Sequence, residues 1–180
     1  AENTLIYVIA HESRDAAKAS WKAFISDPDW QAVHKKSEAD GPILAKAPES
    51  VYMNATDYTP EFSVDKPSDE ADYELRIFKT NEGNLDGLKA RFRDHTIKIF
   101  DRYGMQSVGY WTPADGSDSS NTLIYVLRHD NRDAAKASWK SFGSDPDWKA
   151  AAKASQKDGR FLSERPQVTY MKATDYSAIR

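Results

Sequence analysis

The sequence predicts an α+β fold: one complete ferredoxin-like β-α-β-β-α-β domain preceded by a repeated half domain. Three observations lead there. Residues 3–58 and 121–176 are two gap-free copies of one unit, identical at 35 of 56 positions at an offset of 118; two such copies are expected to share one local structure. A different strand–helix–strand pattern lies between them, directly ahead of the second copy only. Apolar residues make up 39% of the 180, with five Trp, nine Tyr and seven Phe, enough to build packed cores.

Each copy opens on a β-rich run, TLIYVIAH at 4–11 and TLIYVLRH at 122–129. Ser13 or Asn131 can then cap a helix, with Asp15 or Asp133 in its first turn, where a negative charge suits the helix dipole. Ala17, Trp21 and Phe24, and likewise Ala135, Trp139 and Phe142, fall at helical spacing. Ser-Asp-Pro-Asp starts a second helical segment, with Pro28 or Pro146 near its first position. Gly41 or Gly159 ends the helical stretch, and a last strand is expected near 50–55 or 167–173.

In the middle unit, Tyr73–Thr80 reads as a strand. Asn84 can cap a helix running to about Tyr103, with Gly104 as its C-terminal stop. Met105–Thr112 is another strand, and 113–120 reads as a hairpin loop. Residues 59–72 (TPEFSVDKPSDEAD) have the composition of a solvated linker. The expected organisation is therefore residues 1–58 as the back half of a first domain, 59–72 as linker and 73–180 as a complete domain.

In a ferredoxin-like sheet the first strand lies between the third and the fourth. Strands at 3–11 and 50–55 would leave that place vacant. A front half of about 45–50 residues, the length of the unit before residue 121, is inferred to be missing ahead of the first copy. The expected partner is another copy of the chain, or a companion chain supplying that front half, because a bare sheet edge invites pairing. The alternative is that the two strands pair with each other through a right-handed crossover.

The net charge is −3 with both signs interspersed, and no basic-aromatic stripe appears, so nucleic acid is not an expected partner. The chain has no Cys, which removes disulfides and thiolate chemistry. No apolar run reaches about 18 residues, so no membrane span is expected and the chain reads as soluble. No signal peptide is visible; the true N-terminus, any targeting signal and the compartment stay open.

The stretch YELRIFKTNEGNLDGLKARFRDHTIKIFDRYGMQSVGYWTP, followed by NTLIYVLRHDNRDAAKASWKSFGSDPDW, resembles the NIPSNAP family of the dimeric α+β barrel superfamily. The resemblance covers 73–176 and, as a half domain, 3–58. It implies a ferredoxin-like domain that packs its sheet against a second such sheet, from a partner subunit or a tandem domain. It implies no settled catalytic motif. The chain departs from the pattern in the missing front half of the first domain.

Five residues are candidates for a ligand pocket, and no catalytic residue is assigned. Leu85, Leu88, Phe92, His95 and Ile99 form one helical stripe, which puts His95 on the core face, as a base, a haem ligand or a satisfied buried histidine. His129, like His11 in the first copy, alternates with Leu123, Tyr125 and Leu127 and ends its strand. It reads as a polar group at a cleft mouth or as a residue at the solvated helix start. Tyr110 and Trp111 point to opposite faces of one strand, so at least one should meet the space between sheets. Arg76 lies opposite Leu75 and Ile77; a second sheet over that face would demand a carboxylate or an anion for it. Trp139 and Trp148 read as core. Arg91, Arg93 and Asp94 read as a charged outer face. No HxxxH or HExxH spacing exists, so no metal site is expected, and Gly83 and Gly87 lack phosphate-loop spacing.

Two functions remain open. One is a self-associating module that binds a small apolar ligand or another protein. The other is an oxygenase-like or haem-binding enzyme that uses the cleft between sheet and helices. The second rests on the superfamily alone, and no cofactor is otherwise expected.

Overall fold

A computed structural model of the chain describes residues 3–61, 68–157 and 159–179. Of the linker expected at 59–72, residues 62–67 lie outside the described residues. The chain divides into two compact units, Ala1–Glu49 and Ser50–Arg180.

The first unit is a helical hairpin. Helix α1 (Arg14–Ser26) begins where the Ser13 side chain accepts from Ala16 N–H at 3.1 Å. Asp27 ends α1 and caps α2 (Pro28–Ser37), accepting from Trp30 N–H at 2.9 Å. Both caps satisfy amide groups that have no partner inside the helix. Phe24 bridges Trp21 and Trp30, at centroid distances of 5.8 and 4.4 Å.

The strand expected at 3–11 does not form. Residues 4–11 take no regular structure and pair with no strand, and Leu5, Tyr7 and Val8 are more than half exposed. The identical residues of the second copy form a central strand in which Leu123 and Tyr125 are buried. The same six letters thus take two states, because a strand is held by its neighbours more than by its own propensity.

The second unit holds a five-stranded antiparallel sheet in the order β1-β3-β4-β2-β5. Its strands are β1 (Met53–Ala55), β2 (Asp72–Lys79), β3 (Gln106–Pro113), β4 (Thr122–His129) and β5 (Gln167–Met171). The last four, with the helices between them, make the ferredoxin-like pattern, and β2 lies between β4 and β5 as that pattern requires. β1 joins outside β3. The last strand of the first copy therefore belongs to the sheet of the second unit; the crossover pairing of 3–11 with 50–55 is not what forms.

One face of the sheet is covered by α3 (Leu85–Arg91), a π-helical turn (Phe92–Thr96), α4 (Ile97–Arg102), α5 (Arg132–Ser144) and α6 (Pro146–Ser155). Asn131 caps α5, its side chain accepting from Asp133 and Ala134 N–H, and Asp145 caps α6 as Asp27 caps α2. Asn84 precedes α3 but makes no capping bond with its side chain. The core on this side joins Phe78, Leu88, Phe92, Phe100, Tyr110, Tyr125, Leu127 and Phe142. Each such ring or branched chain contributes about 1.5–3 kcal/mol by leaving water. The opposite face carries Tyr73, Val126, Leu75, Val108, Trp111 and Met171.

Candidate functional site

Strand β2 places Asp72, Glu74, Arg76 and Phe78 on one face, since side chains alternate. Register puts them opposite His129, Leu127, Tyr125 and Leu123 of β4, so this is the helix-covered face. The apolar residues Leu75 and Ile77 point the other way. A second sheet over Arg76 was the condition attached to its charge; helices cover that face instead, and the carboxylate it needs is Glu74, two residues earlier on the same strand.

Glu74 is fully buried and holds three donors. Arg76 Nε donates to Oε1 at 2.7 Å. His129 Nε2 and Trp139 Nε1 meet Oε2 at 2.9 and 2.7 Å. The Arg76 guanidinium also stacks 3.7 Å from the Trp139 ring centroid. Burial alone would raise the Glu74 pKa. The hydrogen bond from His129, the Arg76 charge and the Trp139 bond outweigh it and hold the carboxyl below its ordinary value. With its oxygens occupied by donors and its surface out of reach of solvent, this carboxylate ties β2, β4 and α5 together and is poorly disposed to take a proton from a substrate.

Next along the strand, the buried Asp72 receives Arg132 at 2.9 Å and Lys172 at 3.2 Å. Burial opposes its ionisation, and these two partners still hold its pKa below the ordinary value. The Arg132 guanidinium lies 3.5 Å from the centroid of Tyr170, which faces Glu74 from β5. Asp69, Glu70, Asn131 and Asp133 complete an open concavity around Asp72.

The structure places the five sequence candidates in four different settings. Arg76 and His129 belong to the Glu74 cluster. His129 is 1% exposed, which corrects the solvated helix-start reading; its Nδ1 has no partner among the described residues. Tyr110 is buried on the helix side, 5.6 Å from Tyr125 and bonded to Ser107 Oγ at 2.6 Å; burial pushes both phenols well up from their ordinary range. Trp111 is half-buried on the open side, lying over Gly109. His95 is exposed, against the expectation of an inward position. The π-helical turn takes one more residue than an α-turn, and the inward place after Phe92 falls to Thr96, 1% exposed, whose Oγ1 donates to Arg91 C=O at 3.2 Å.

Two residues were missed. Glu74 could have been found from the unsatisfied N–H groups of His129 and Trp139 on apolar frames, which demand a buried acceptor. Arg91, read as surface, is 6% exposed and lies between the rings of Trp148 and Phe161, at 5.1 and 5.0 Å; nothing in its local spacing marks this. Among the described residues no cluster of His, Asp or Glu could hold a metal ion, and no helix is long and apolar enough to cross a membrane.

Residues 73–178 match the model of the NIPSNAP family. Solved structures give the same relation. A NIPSNAP family protein of Agrobacterium tumefaciens C58 shares 17% identity at a TM-score of 0.55, covering 65% of this chain and 97% of its own. An uncharacterized NIPSNAP-like domain protein of Burkholderia xenovorans shares 14% at 0.53, covering 61% and 90%. A second Agrobacterium protein, a NIPSNAP family member of unknown function, shares 19% at 0.52, covering 62% and 96%. At such identities the likeness establishes the fold. No curated protein matches this chain. The family model spans more than half of the sequence, and it coincides with the ferredoxin-like unit built on β2 to β5: the chain belongs to the NIPSNAP family.

Proposed function

We propose that this chain is a self-associating module whose open sheet face packs against a second sheet of the same kind, as in a dimeric α+β barrel. One observation carries the reading. Helices cover one face of the sheet, while the other presents Leu75, Ile77, Val108, Trp111 and Ile124, all apolar and only half-buried. An apolar sheet face of this kind gains by burial against another. In this reading residues 1–58 are the back half of a first domain, joined through 59–72 to the complete domain at 73–180. The partner is a second copy or a chain supplying a front half. Trp111 would be a central contact, since large aromatic rings dominate interface energetics. A small apolar ligand would lie in the same inter-sheet space. The oxygenase or haem reading has less support, because Phe92, Phe100, Tyr110 and Tyr125 already fill the space between sheet and helices.

Sedimentation velocity tests this. The 20.3 kDa chain is expected to run as a concentration-dependent oligomer, and Ile124→Lys with Leu75→Lys is expected to return it to the monomer. A natural chain that stays monomeric at all concentrations would overturn the reading.

A further inference from the structure

The repeat ends on one motif written twice, MNATDY at 53–58 and MKATDY at 171–176, each followed by a hydroxyl residue, Thr59 or Ser177. The first copy is seated on an edge. Met53, Asn54 and Ala55 pair with Pro113, Thr112 and Trp111 of β3. Thr56 N–H donates to the Tyr110 carbonyl at 2.9 Å. Thr59 Oγ1 donates to that carbonyl at 2.5 Å and accepts from Tyr110 N–H at 3.1 Å. The Tyr58 ring lies 5.3 Å from the Tyr110 ring, and its burial lifts the phenol pKa to about 12. Arg93 donates to Asp57 at 2.8 Å and covers Tyr58 at 5.6 Å. The segment thus extends the sheet by a short strand and clamps it with a salt bridge and a ring.

The second copy keeps the same turn. Ser177 N–H donates to Thr174 C=O at 3.0 Å, as Thr59 N–H donates to Thr56 C=O at 3.1 Å. Its Asp175 and Tyr176 side chains, however, face solvent, Tyr176 being 75% exposed, while Lys172 before them is held by Asp72 and by the Glu70 and Ala71 carbonyls. Strand β5 pairs with β2 through Met171 and stops there. Met171 is the counterpart of Met53, where β1 begins. The last strand of the repeat therefore has two successive stretches, one for its own sheet and one suited to the next.

We propose that residues 171–177 are a docking strand for the edge of a second strand–helix–strand unit built like residues 72–113, with a basic residue and a tyrosine where this chain has Arg93 and Tyr110. Complementarity names that partner. Asp175 matches the arginine as Asp57 does, Tyr176 matches the tyrosine ring, and the Ser177 hydroxyl matches the edge carbonyl. The proposal rests on the reading of the chain as a module that joins a second sheet, and it adds which segment reaches across and what it grips.

Disulfide trapping tests it. The natural chain has no cysteine, so each introduced pair is unambiguous. The acceptor is the full chain carrying Thr56→Pro and Asp57→Arg, which unseat its own strand from β3, together with Thr112→Cys. The donor is the full chain carrying Lys172→Cys and a mass tag. Position 172 is the counterpart of Asn54, which faces Thr112; directly opposed residues in such a pair lie about 5.5 Å apart, within disulfide reach. The expected result is a mixed donor–acceptor disulfide, formed roughly tenfold more slowly when the donor also carries Asp175→Arg, a factor set by loss of about 1.4 kcal/mol. As a control, Asn54→Cys with Thr112→Cys in one chain should close internally. If that control closes and no mixed disulfide forms with donor in excess, the proposal is overturned; if the control fails, the seated copy it was drawn from is wrong, and the proposal falls too. Sedimentation reads the open face separately: association without the mixed disulfide removes the docking strand alone.

Discussion

Replacing Glu74 with alanine should cost more stability than any other single polar truncation on β2. The substitution leaves the His129 and Trp139 N–H groups without the acceptor they hold at 2.9 and 2.7 Å. An orphaned buried donor costs about 1–3 kcal/mol. Arg76 also loses its carboxylate, but its side chain is 18% exposed and water can take over part of that role. The combined loss is about 3–5 kcal/mol, the range seen when one partner of a buried charged pair is removed. Urea unfolding followed by tryptophan fluorescence measures it, with an unchanged slope confirming that the transition is the same one. Trp139→Phe, which removes one donor and keeps the carboxylate paired with the other two, should cost about 1.5–3 kcal/mol. A Glu74→Ala loss under about 1 kcal/mol at unchanged slope would refute the reasoning, because three donors then could not have depended on this oxygen pair.

Acid should destabilise the protein through the same residues. Glu74 and Asp72 have folded pKa values below the ordinary 4.5 and 3.8, so their stabilisation is complete above those values and is lost as pH falls through the depressed ones. The thermal midpoint should begin to drop below about pH 4.5, less steeply in Glu74→Gln, and a flat profile down to pH 3 would contradict this. Gly109→Ala would drive a methyl group into the Trp111 ring and should cost about 1–3 kcal/mol, read as a lower unfolding midpoint. His95→Ala should change stability by less than about 0.5 kcal/mol, since the side chain is exposed; a larger loss would put the inward assignment back in place of the π-turn register.

Much of the fold was legible because local signals coincide with it. The capping residues Ser13 and Asn131 and the paired Ser-Asp-Pro-Asp turns lie at the ends of the helices they foretell. The two losses have different causes. The run at 4–11 satisfies every local rule for a strand and forms none, since pairing needs a neighbour that no local rule records. His95 satisfies the 3-4 stripe and still faces out, because that stripe assumes an unbroken α-helical period and a single π-turn resets it. At the site, the alternation of β2 was readable but its sense was not. Tyr73, Leu75 and Ile77 look like the core set, yet the helices cover Glu74, Arg76 and Phe78, because the apolar set belongs to the open face. Once that is known, the Glu74–His129–Trp139 cluster follows from the demand that buried N–H groups be met.

The unpaired run has a consequence for how the molecule behaves in a crowded solution. From Asn3 to Ala10 there is no charge, no proline and no glycine, and Leu5 to Ile9 stand 43–61% exposed with their amide groups unpaired in any ladder. That is the composition of segments that stack into cross-β assemblies, and natural proteins usually guard it with a gatekeeping charge. Here the nearest charge on the C-terminal side is Glu12. The rate of irreversible aggregation should therefore rise steeply with concentration and fall when this segment is covered. Whatever covers it acts as a solubilising shield as well as a partner.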